Sequence, residues 1–308
     1  MKKHRKHDGK QVIDFDYKIL ENNRMCASKN FHSIFDFLNF NDEHWGNENS
    51  TDSSKSWMVG HEPNMTLKKT EEMLIKGCAT DDLLALVDKY RDELRLDGLY
   101  DIQSNVKSCI RRRVFSDDGD MVNIDRYLTD DMLMWETTRR VGRKSFITLG
   151  LDICMSHGNK KDAFARNTAL AYCTAEILEN LGYGVEIKVT ASGEGCFNKA
   201  YLENVYGSTF EDIDSYYGEF SVGFTLKHTE EPLNLNAIAS TSLVGLFRKY
   251  CFNVHETIFG EYDGRAIKPT QEQLEVLDVD IIVSNSWNDA NEQKNYVTKA
   301  ILDLVGSC

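Results

Sequence analysis

The stretch KSFITLGLD, residues 144–152, decides the fold class of this chain of 308 residues. It is a short apolar run that ends in an aspartate and leads into a polar loop. Apolar residues then recur at steps of three and four from Phe164 to Leu178, and the pattern stops at Gly182, as in an amphipathic helix. The alternating run VEIKVT follows at residues 185–190. The order strand, helix, strand predicts an α/β unit with parallel strands.

Two further strands, at residues 220–228 and 279–284, and a last helix around Val297 to Leu304 complete this pattern. A long insertion, residues 191–218, separates the second and third strands. We therefore expect an α/β domain over residues 144–308, with a mostly parallel sheet flanked by helices.

The chain before residue 144 has a different character. Residues 109–124 predict two strands joined by an Asp/Gly turn, a β-hairpin. Helical periodicity predicts three helices, at residues 31–38, 67–75 and 83–94. Residues 1–30 show no sustained period. The expected organisation is a basic, flexible N-terminal segment, a smaller mostly helical region with a hairpin, and the α/β domain, over residues 1–30, 31–143 and 144–308.

Charge limits the classes of partner. The chain has 36 Lys and Arg against 49 Asp and Glu, a net charge of −13, and such an acidic surface repels phosphate backbones. Residues 1–12 are locally basic, which predicts a solvated tail or, alternatively, an arm that contacts phosphate and is the one route to nucleic acid. No run of about 18 apolar residues is present, so a membrane partner is not expected. Eight cysteines without a Cys-x-x-Cys pair predict reduced thiols in a cytosol.

Asp152, at the end of the first strand of the α/β domain, is followed four residues later by Ser156. The run resembles the Asp-x-Ser-x-Ser loop of von Willebrand factor A domains, which holds a divalent cation through oxygen ligands. Here Cys154 takes the middle position, which a hard cation disfavours. The last strand ends in Ser284 and Asn285, without the family's later aspartate. The resemblance implies a von Willebrand A-like domain with a degenerate metal loop; a cation such as Mg²⁺ bound by Asp152 and Ser156 is the alternative.

A second pattern is formed by Asp152 together with Glu186 and Lys188. Asp…Glu-x-Lys resembles the restriction-endonuclease-like nucleases, in which two carboxylates bind Mg²⁺ and the lysine stabilises charge on the attacked phosphate. In that family the two parts lie on neighbouring strands of a meander, whereas a helix separates them here. Glu and Lys two residues apart also fit the solvated face of an edge strand.

A local group of basic residues interrupts the acidic sequence. Between Lys107 and Lys144 there are nine basic and seven acidic residues. The arginines either pair with the neighbouring aspartates or contact an anion or a partner protein. The candidate contact residues are Arg111, Arg113, Arg139, Arg140 and Arg143.

Three segments in this order resemble a family of uncharacterised tailed-bacteriophage proteins. They are residues 31–40 with the loop around Trp57, residues 119–135, and the strand, loop and helix from Asp152 to the GYGVEI run at residues 182–187. The resemblance implies a phage origin and a place in the host cytoplasm or the virion. It implies no known reaction and carries over no catalytic residues.

These patterns lead to one expected function and one alternative. We expect a non-catalytic binding or assembly protein, without a cofactor, whose partner is a phage or host protein. Its contact surface is the carboxyl edge of the sheet, which carries Asp152, Ser156 and Thr190, because loops on a rigid scaffold carry function. The alternative is a Mg²⁺-dependent nuclease that uses Asp152, Glu186 and Lys188.

Overall fold

The fold is described from a computed structural model. The described residues are 2–8, 11–20, 24–45, 67–101, 110–116, 121–122, 135–141, 146–154, 161–196, 217–242, 246–259, 265–266, 269–284 and 290–306. The insertion expected at residues 191–218 lies partly outside these ranges.

The described chain contains both strands and helices. The strands are β1 Lys2–Asp8, β2 Gln11–Ile19, β3 Met25–Phe31, β4 Ile110–Ser116, β5 Met121–Val122, β6 Trp135–Val141, β7 Phe146–Asp152, β8 Gly184–Cys196, β9 Tyr217–Lys227, β10 Arg265–Ala266 and β11 Ile281–Ser284. The helices are α1 Ile34–Trp45, α2 Leu67–Lys76, α3 Asp81–Leu96, α4 Lys161–Asn180, α5 Leu235–Ser240, α6 Phe252–Phe259, α7 Gln271–Leu277 and α8 Ala290–Gly306. A 3-10 turn, Leu99–Asp101, follows α3, and a π-helical turn, Leu246–Cys251, leads into α6.

One large sheet has the strand order β1-β2-β3-β9-β8-β7-β11, and β10 also pairs with β8. The pairs β3/β9, β8/β7 and β7/β11 are parallel, and the remaining pairs are antiparallel. The α/β class is thus confirmed, but the sheet is mixed rather than mostly parallel. The reason is that β9 returns directly beside β8 in the antiparallel sense, and β1 to β3 extend the sheet beyond it.

The N-terminal strands belong to the same sheet as the C-terminal ones. β3 runs parallel to β9 from Met25 opposite Gly218 to Phe31 opposite Phe224. The sheet therefore crosses the boundary expected at residue 143, and residues 2–8, expected to form a flexible tail, pair with β2 as an edge strand. A polar edge strand has no apolar face that its periodicity could reveal.

The smaller sheet has the order β4-β6-β5. Both strands of the expected hairpin exist, but each pairs with β6 instead of with the other. The hairpin prediction is wrong in its pairing because a third strand, Trp135–Val141, lies between the two.

The predicted helices before residue 144 are present as α1, α2 and α3. Gly77 and Gly98 follow α2 and α3 with φ near +79° and +76°, a conformation that glycine adopts without steric cost. Thr80 caps α3 by accepting a hydrogen bond from the N–H of Leu83. Within α1, Phe37 is buried, whereas Phe35 is exposed.

The two faces of the large sheet are covered differently. One face is apolar and packs on α1, α4 and α6, with ring contacts from Phe37 to Phe224 and from Phe15 to Phe259. α3 packs on the outside of α4. The other face lies under α7, where a smaller cluster is formed by Leu274, Leu277, Val279 and Ile282. No helix in the described ranges is long and apolar enough to span a membrane.

Candidate functional site

The candidate site lies where β7 and β11 end, beside the middle of the longer strand β8. Asp152 is the last residue of β7, the middle strand, and it stands in register between Ser284 of β11 and Thr190 of β8. Because the carboxyl ends of parallel strands meet at one sheet edge, the strand order brings these three side chains together. The sequence indicated Asp152 at a strand end; Thr190, assigned to the same edge, is opposite Asp152 but lies in the middle of β8, which continues to Cys196. The sequence did not identify Ser284 as a neighbour.

Both carboxylate oxygens of Asp152 are engaged in hydrogen bonds. Oδ2 accepts from the hydroxyl of Ser284 at 2.6 Å. Oδ1 accepts from the backbone N–H of Cys154 and from that of Ser192, both at 3.2 Å. The side chain is completely buried. Asp152 thus joins the tip of β7 to β11 and β8.

Burial raises the pKa of Asp152 to about 7, although the hydrogen bonds from Ser284, Cys154 and Ser192 act in the opposite direction. The carboxyl group therefore changes its charge near neutral pH. Cys251, which is also fully buried, has its thiol pKa raised by burial and further by the charge of Asp152.

A second layer of amides holds the strand tips from the helix side. Asn167 on α4 donates to the carbonyl of Asp152 at 2.9 Å and to that of Val283 at 3.4 Å. Gln293 on α8 donates to the carbonyl of Ser284 at 3.0 Å and also to Oδ1 of Asn167. Two helices therefore fix the ends of β7 and β11, and the loops that follow these strands start from a rigid base.

A row of buried polar residues continues from Asp152 across the sheet beneath α7. The hydroxyls of Ser192 on β8 and Ser221 on β9 lie 2.8 Å apart. Gln273 of α7 donates to Ser221 and to the carbonyl of Ala27, each at 2.9 Å. Sequence reasoning missed this row, because small polar residues in a strand resemble an exposed face until a helix is known to cover them.

Thr190, assigned to the contact surface from the sequence, is completely buried. Its hydroxyl accepts or donates no hydrogen bond within the described part of the chain. Thr190 therefore supports the edge from beneath, and the exposed contact residues of this edge come from the loops.

The residues of the alternative nuclease site are not brought together. Glu186 stands opposite Thr148, four residues before the pair of Thr190 and Asp152, which separates it from Asp152 by about 13 Å along the strands. Carboxylates that share one cation lie within reach of metal–oxygen bonds of about 2.0–2.6 Å. The nuclease arrangement of Asp152 with Glu186 is therefore wrong.

Lys188 has a structural role instead. Its ammonium group donates to the carbonyls of Leu277 and Asp278, at 3.3 and 3.1 Å, and so caps the C-terminal end of α7. Glu186 forms an ion pair with Lys188 at 3.5 Å, and its carboxylate lies 3.8 Å from Nδ1 of His228.

The proposed metal ligand Ser156 lies outside the described residues, in the segment 155–160 that follows β7. Within the described ranges, no group of three or more His, Cys, Asp or Glu side chains is arranged to hold a metal ion. Asp152 itself has no oxygen free of hydrogen bonds with the protein.

Arg111 and Arg113 lie on β4 and Arg139 and Arg140 on β6, in the smaller sheet. Arg111 stands opposite Arg140, and Arg113 stands opposite Thr138. Arg139 stands opposite Arg112, which the site prediction had not included. Arg143 lies outside the described residues.

Comparison with known proteins identifies a family but no activity. No curated protein and no solved structure matches the chain. A protein-family model described as domain of unknown function DUF7192 matches residues 21–306, which include β3 to β11 and the strand tips around Asp152 but not β1 and β2. The chain belongs to the DUF7192 family.

Proposed function

We propose that the protein is a non-catalytic binding or assembly protein, which holds a partner through the loops that follow β7 and β11, beside Thr190 of β8. The observation that carries this proposal is the burial and hydrogen bonding of the Asp152 carboxylate. Both oxygens of this carboxylate are used to join strand tips, and the side chain is buried, so its role is to support the edge. Loops anchored on such a base are suited to recognition.

The same arrangement supports a von Willebrand A-like domain whose cation loop has degenerated. Asp152 and Ser284 lie at the tips of adjacent parallel strands, as the resemblance calls for. The hydroxyl of Ser284 takes the place beside Asp152 that a metal would need. Cys154 contributes only its backbone N–H to Asp152, which matches the loss of an oxygen ligand at that position.

The partner that we propose is a phage or host protein, and the place of action is the infected cell or the virion. This part of the proposal follows from the resemblance of three segments to tailed-bacteriophage proteins. The acidic net charge of −13 favours a protein over a nucleic acid at the strand-tip loops.

The test is capture of partners by a tagged full-length chain in cells infected with the phage that encodes it. Asn159→Arg alters the loop that follows β7, and Asn180→Arg makes the same change at the exposed far end of α4. We expect one protein to be captured by the unaltered chain and by the Asn180 variant, but not by the Asn159 variant.

Equal capture by all three chains, or no capture by any of them, would contradict the proposed surface. Mass spectrometry of purified particles then distinguishes a virion component from an intracellular factor. Mg²⁺-dependent cleavage of nucleic acid by the purified chain, lost in Asp152→Asn, would replace the proposal with an enzymatic role.

A further inference from the structure

Two histidines from distant parts of the chain meet at the end of the large sheet that lies far from the Asp152 strand tips. His32 follows the last residue of β3, and His228 follows the last residue of β9. β3 and β9 are parallel neighbours, so their carboxyl ends lie side by side. Because β9 runs antiparallel to β8, these ends lie where β7 and β8 begin. Strand pairing thus brings together two imidazoles that are nearly two hundred residues apart in the sequence.

The two imidazole rings are in direct contact at the protein surface. Their centroids are 4.6 Å apart, and their planes are inclined by 42°. His32 is exposed, and 34 % of the side chain of His228 is accessible to solvent. An ion in solution can therefore reach both rings.

The spacing of the rings fits two ligands of one metal ion. Zn²⁺ binds imidazole nitrogens at about 2.0–2.1 Å. With about 90–110° between the two bonds, this length places the ring centroids roughly 4.5–5.2 Å apart. The observed 4.6 Å lies within this range. Imidazole is also a ligand that suits Zn²⁺, whereas Mg²⁺ and Ca²⁺ prefer oxygen ligands.

The carboxylate of Glu186, on β8, lies beside the second nitrogen of one imidazole. Its Oε2 is 3.8 Å from Nδ1 of His228, while its Oε1 is 3.5 Å from the ammonium group of Lys188. A carboxylate near Nδ1 attracts the ring proton to that nitrogen and leaves the lone pair of Nε2 for a metal ion. Histidines that bind metals almost always have such a partner on the other ring nitrogen.

The backbone is held in place at both histidines. Next to His32, Ser33 caps the first turn of α1, where its hydroxyl accepts from the N–H of Asp36 at 3.2 Å. The carbonyl of His228 accepts from the ammonium group of Lys227 at 3.2 Å. The two rings therefore start from fixed positions, and little ordering is needed for both to bind one ion.

We propose that His32 and His228 bind one Zn²⁺ ion, with Glu186 as the positioning residue for His228 and with water at the remaining coordination positions. Zinc sites with fewer than four protein ligands are completed by water. An ion held by both histidines would join the end of β3 to the end of β9, and so the N-terminal strands to the rest of the sheet. The site is separate from the strand-tip loops and does not depend on the proposed function.

The experiment is competition for Zn²⁺ between the reduced full chain and a chromophoric chelator of known affinity. His32→Asn and His228→Asn should each weaken Zn²⁺ binding at least ~10-fold, because each removes one of the two ligands. Glu186→Ala should weaken it about 10-fold, as the loss of an outer partner does. Thiols that bind Zn²⁺ are the same in every chain, so the differences between chains report the imidazole site.

The control is His61→Asn, which removes one imidazole elsewhere in the sequence. It should bind Zn²⁺ as tightly as the unaltered chain does. Long-range proton–nitrogen NMR of the unaltered chain gives a second measurement that does not rely on the folding of a variant. Zn²⁺ should shift the ring nitrogens of His32 and His228, and Mg²⁺ should shift neither. Without metal, Glu186→Ala should move the ring proton of His228 from Nδ1 towards Nε2.

Four outcomes would overturn the inference. These are an unaltered chain that does not bind Zn²⁺, both histidine variants binding it as tightly as the unaltered chain, His61→Asn weakening binding as much as they do, or ring nitrogens of His32 and His228 that do not shift. Equal affinity of Glu186→Ala and the unaltered chain would contradict the role assigned to Glu186.

Discussion

Burial and hydrogen bonding act in opposite directions on the pKa of the Asp152 carboxyl group. Burial disfavours its charged form, while three donors favour it, and its pKa of about 7 lies above the value of roughly 3.9 in an unfolded chain. Between these values the folded protein binds more protons than the unfolded one does. The contribution of Asp152 to the free energy of unfolding is therefore full below pH ~4 and falls as the pH rises to 7 and above.

We expect Asp152→Asn to remove this pH dependence. The asparagine side chain has the same shape as that of aspartate. Its oxygen can accept hydrogen bonds from the backbone N–H groups of Cys154 and Ser192, and its NH₂ group can donate to the hydroxyl of Ser284. Relative to the variant, the unaltered chain should lose up to about 4 kcal/mol of unfolding free energy between pH 4 and pH 8. Urea denaturation at a series of pH values measures this difference. A difference that is constant with pH would show that Asp152 stays ionised in the folded chain.

His255 makes the free energy of unfolding depend on pH in the opposite direction. This contribution cancels when the unaltered chain is compared with Asp152→Asn. The imidazole of His255 is fully buried, and burial lowers its pKa to about 3. Stability from this residue is therefore present above the unfolded pKa of about 6.5 and is lost as the pH falls below that value. The same residue is present in both chains, so it does not enter the difference between them.

At the scale of elements, α7 is held on the sheet by polar contacts as well as by its apolar residues. Gln273 bridges α7 to β3 and β9 through the carbonyl of Ala27 and the hydroxyl of Ser221. A leucine at this position would remove both hydrogen bonds and leave Ser221 with its contact to the hydroxyl of Ser192. We expect Gln273→Leu to lower the free energy of unfolding by about 1–3 kcal/mol in urea denaturation.

Gln271→Leu is the matched control, since Gln271 is exposed two residues earlier on the same helix. It should change the free energy of unfolding by less than about 0.5 kcal/mol. Equal losses in the two variants would mean that the row of polar residues beneath α7 contributes nothing specific.

The contact between α3 and α4 depends on Glu176. Arg91 donates to both of its oxygens, at 2.9 and 2.7 Å, and Tyr100 donates to one of them at 2.7 Å. Partial burial alone would raise the pKa of Glu176, but these hydrogen bonds hold it below its usual value. The stabilisation is therefore present above pH ~4.3 and is lost as the pH falls below that.

Glu176→Gln should lower the free energy of unfolding by about 1–3 kcal/mol at pH 7, because it replaces a charge-assisted fork with a neutral amide. Glu72→Gln, on the exposed face of α2, is the control for the loss of one negative charge. If the deficit of Glu176→Gln persists unchanged at pH 3, the ion pair is not its source.

At the scale of the whole molecule, the large sheet joins the two ends of the chain. β3 covers the edge of β9, and Gly218 of β9 lies so close to β3 that an added Cβ would stand 1.9 Å from the carbonyl oxygen of Met25. Phe15 of β2 packs on Phe259 of α6 in the same core.

We therefore expect that a chain beginning at residue 144 does not fold as a stable unit. Without β1 to β3 it would expose the edge of β9 and the aromatic residues that pack on it. Thermal denaturation followed by near-ultraviolet circular dichroism should show a cooperative transition for the full chain and none for the shortened one. A cooperative transition in both would instead support the division expected near residue 143.

The sequence predicts those helices and strands whose own residues show a clear apolar periodicity. β7, α4, β8 and β11 follow from apolar periodicity and from the glycine after α4. β1 to β3 could not be predicted in the same way. They pair with one another locally, but their place in the sheet depends on the pairing of β3 with β9, nearly two hundred residues away. The extension of β8 beyond Thr190 was missed because small residues such as Ser192 and Gly193 have little strand propensity of their own.

The candidate site was predictable to the same degree. An aspartate at a strand end identifies the edge, and the parallel order of β7 and β8 places Thr190 beside it. The burial of Asp152 and its bond to Ser284 depend on which strand becomes the neighbour of β7. Strand order is a property of the whole sheet, so the sequence of one segment does not contain it.

The central claim is that Asp152 supports the strand tips and does not hold a cation. Thermal unfolding of the full chain with and without Mg²⁺ or Ca²⁺, alongside Asp152→Asn, tests it most directly. A cation at about 100 times its Kd would add roughly 2.7 kcal/mol to the free energy of unfolding. We predict the same melting temperature with and without metal in both chains. A melting temperature that rises with metal in the unaltered chain and not in the variant would contradict the claim.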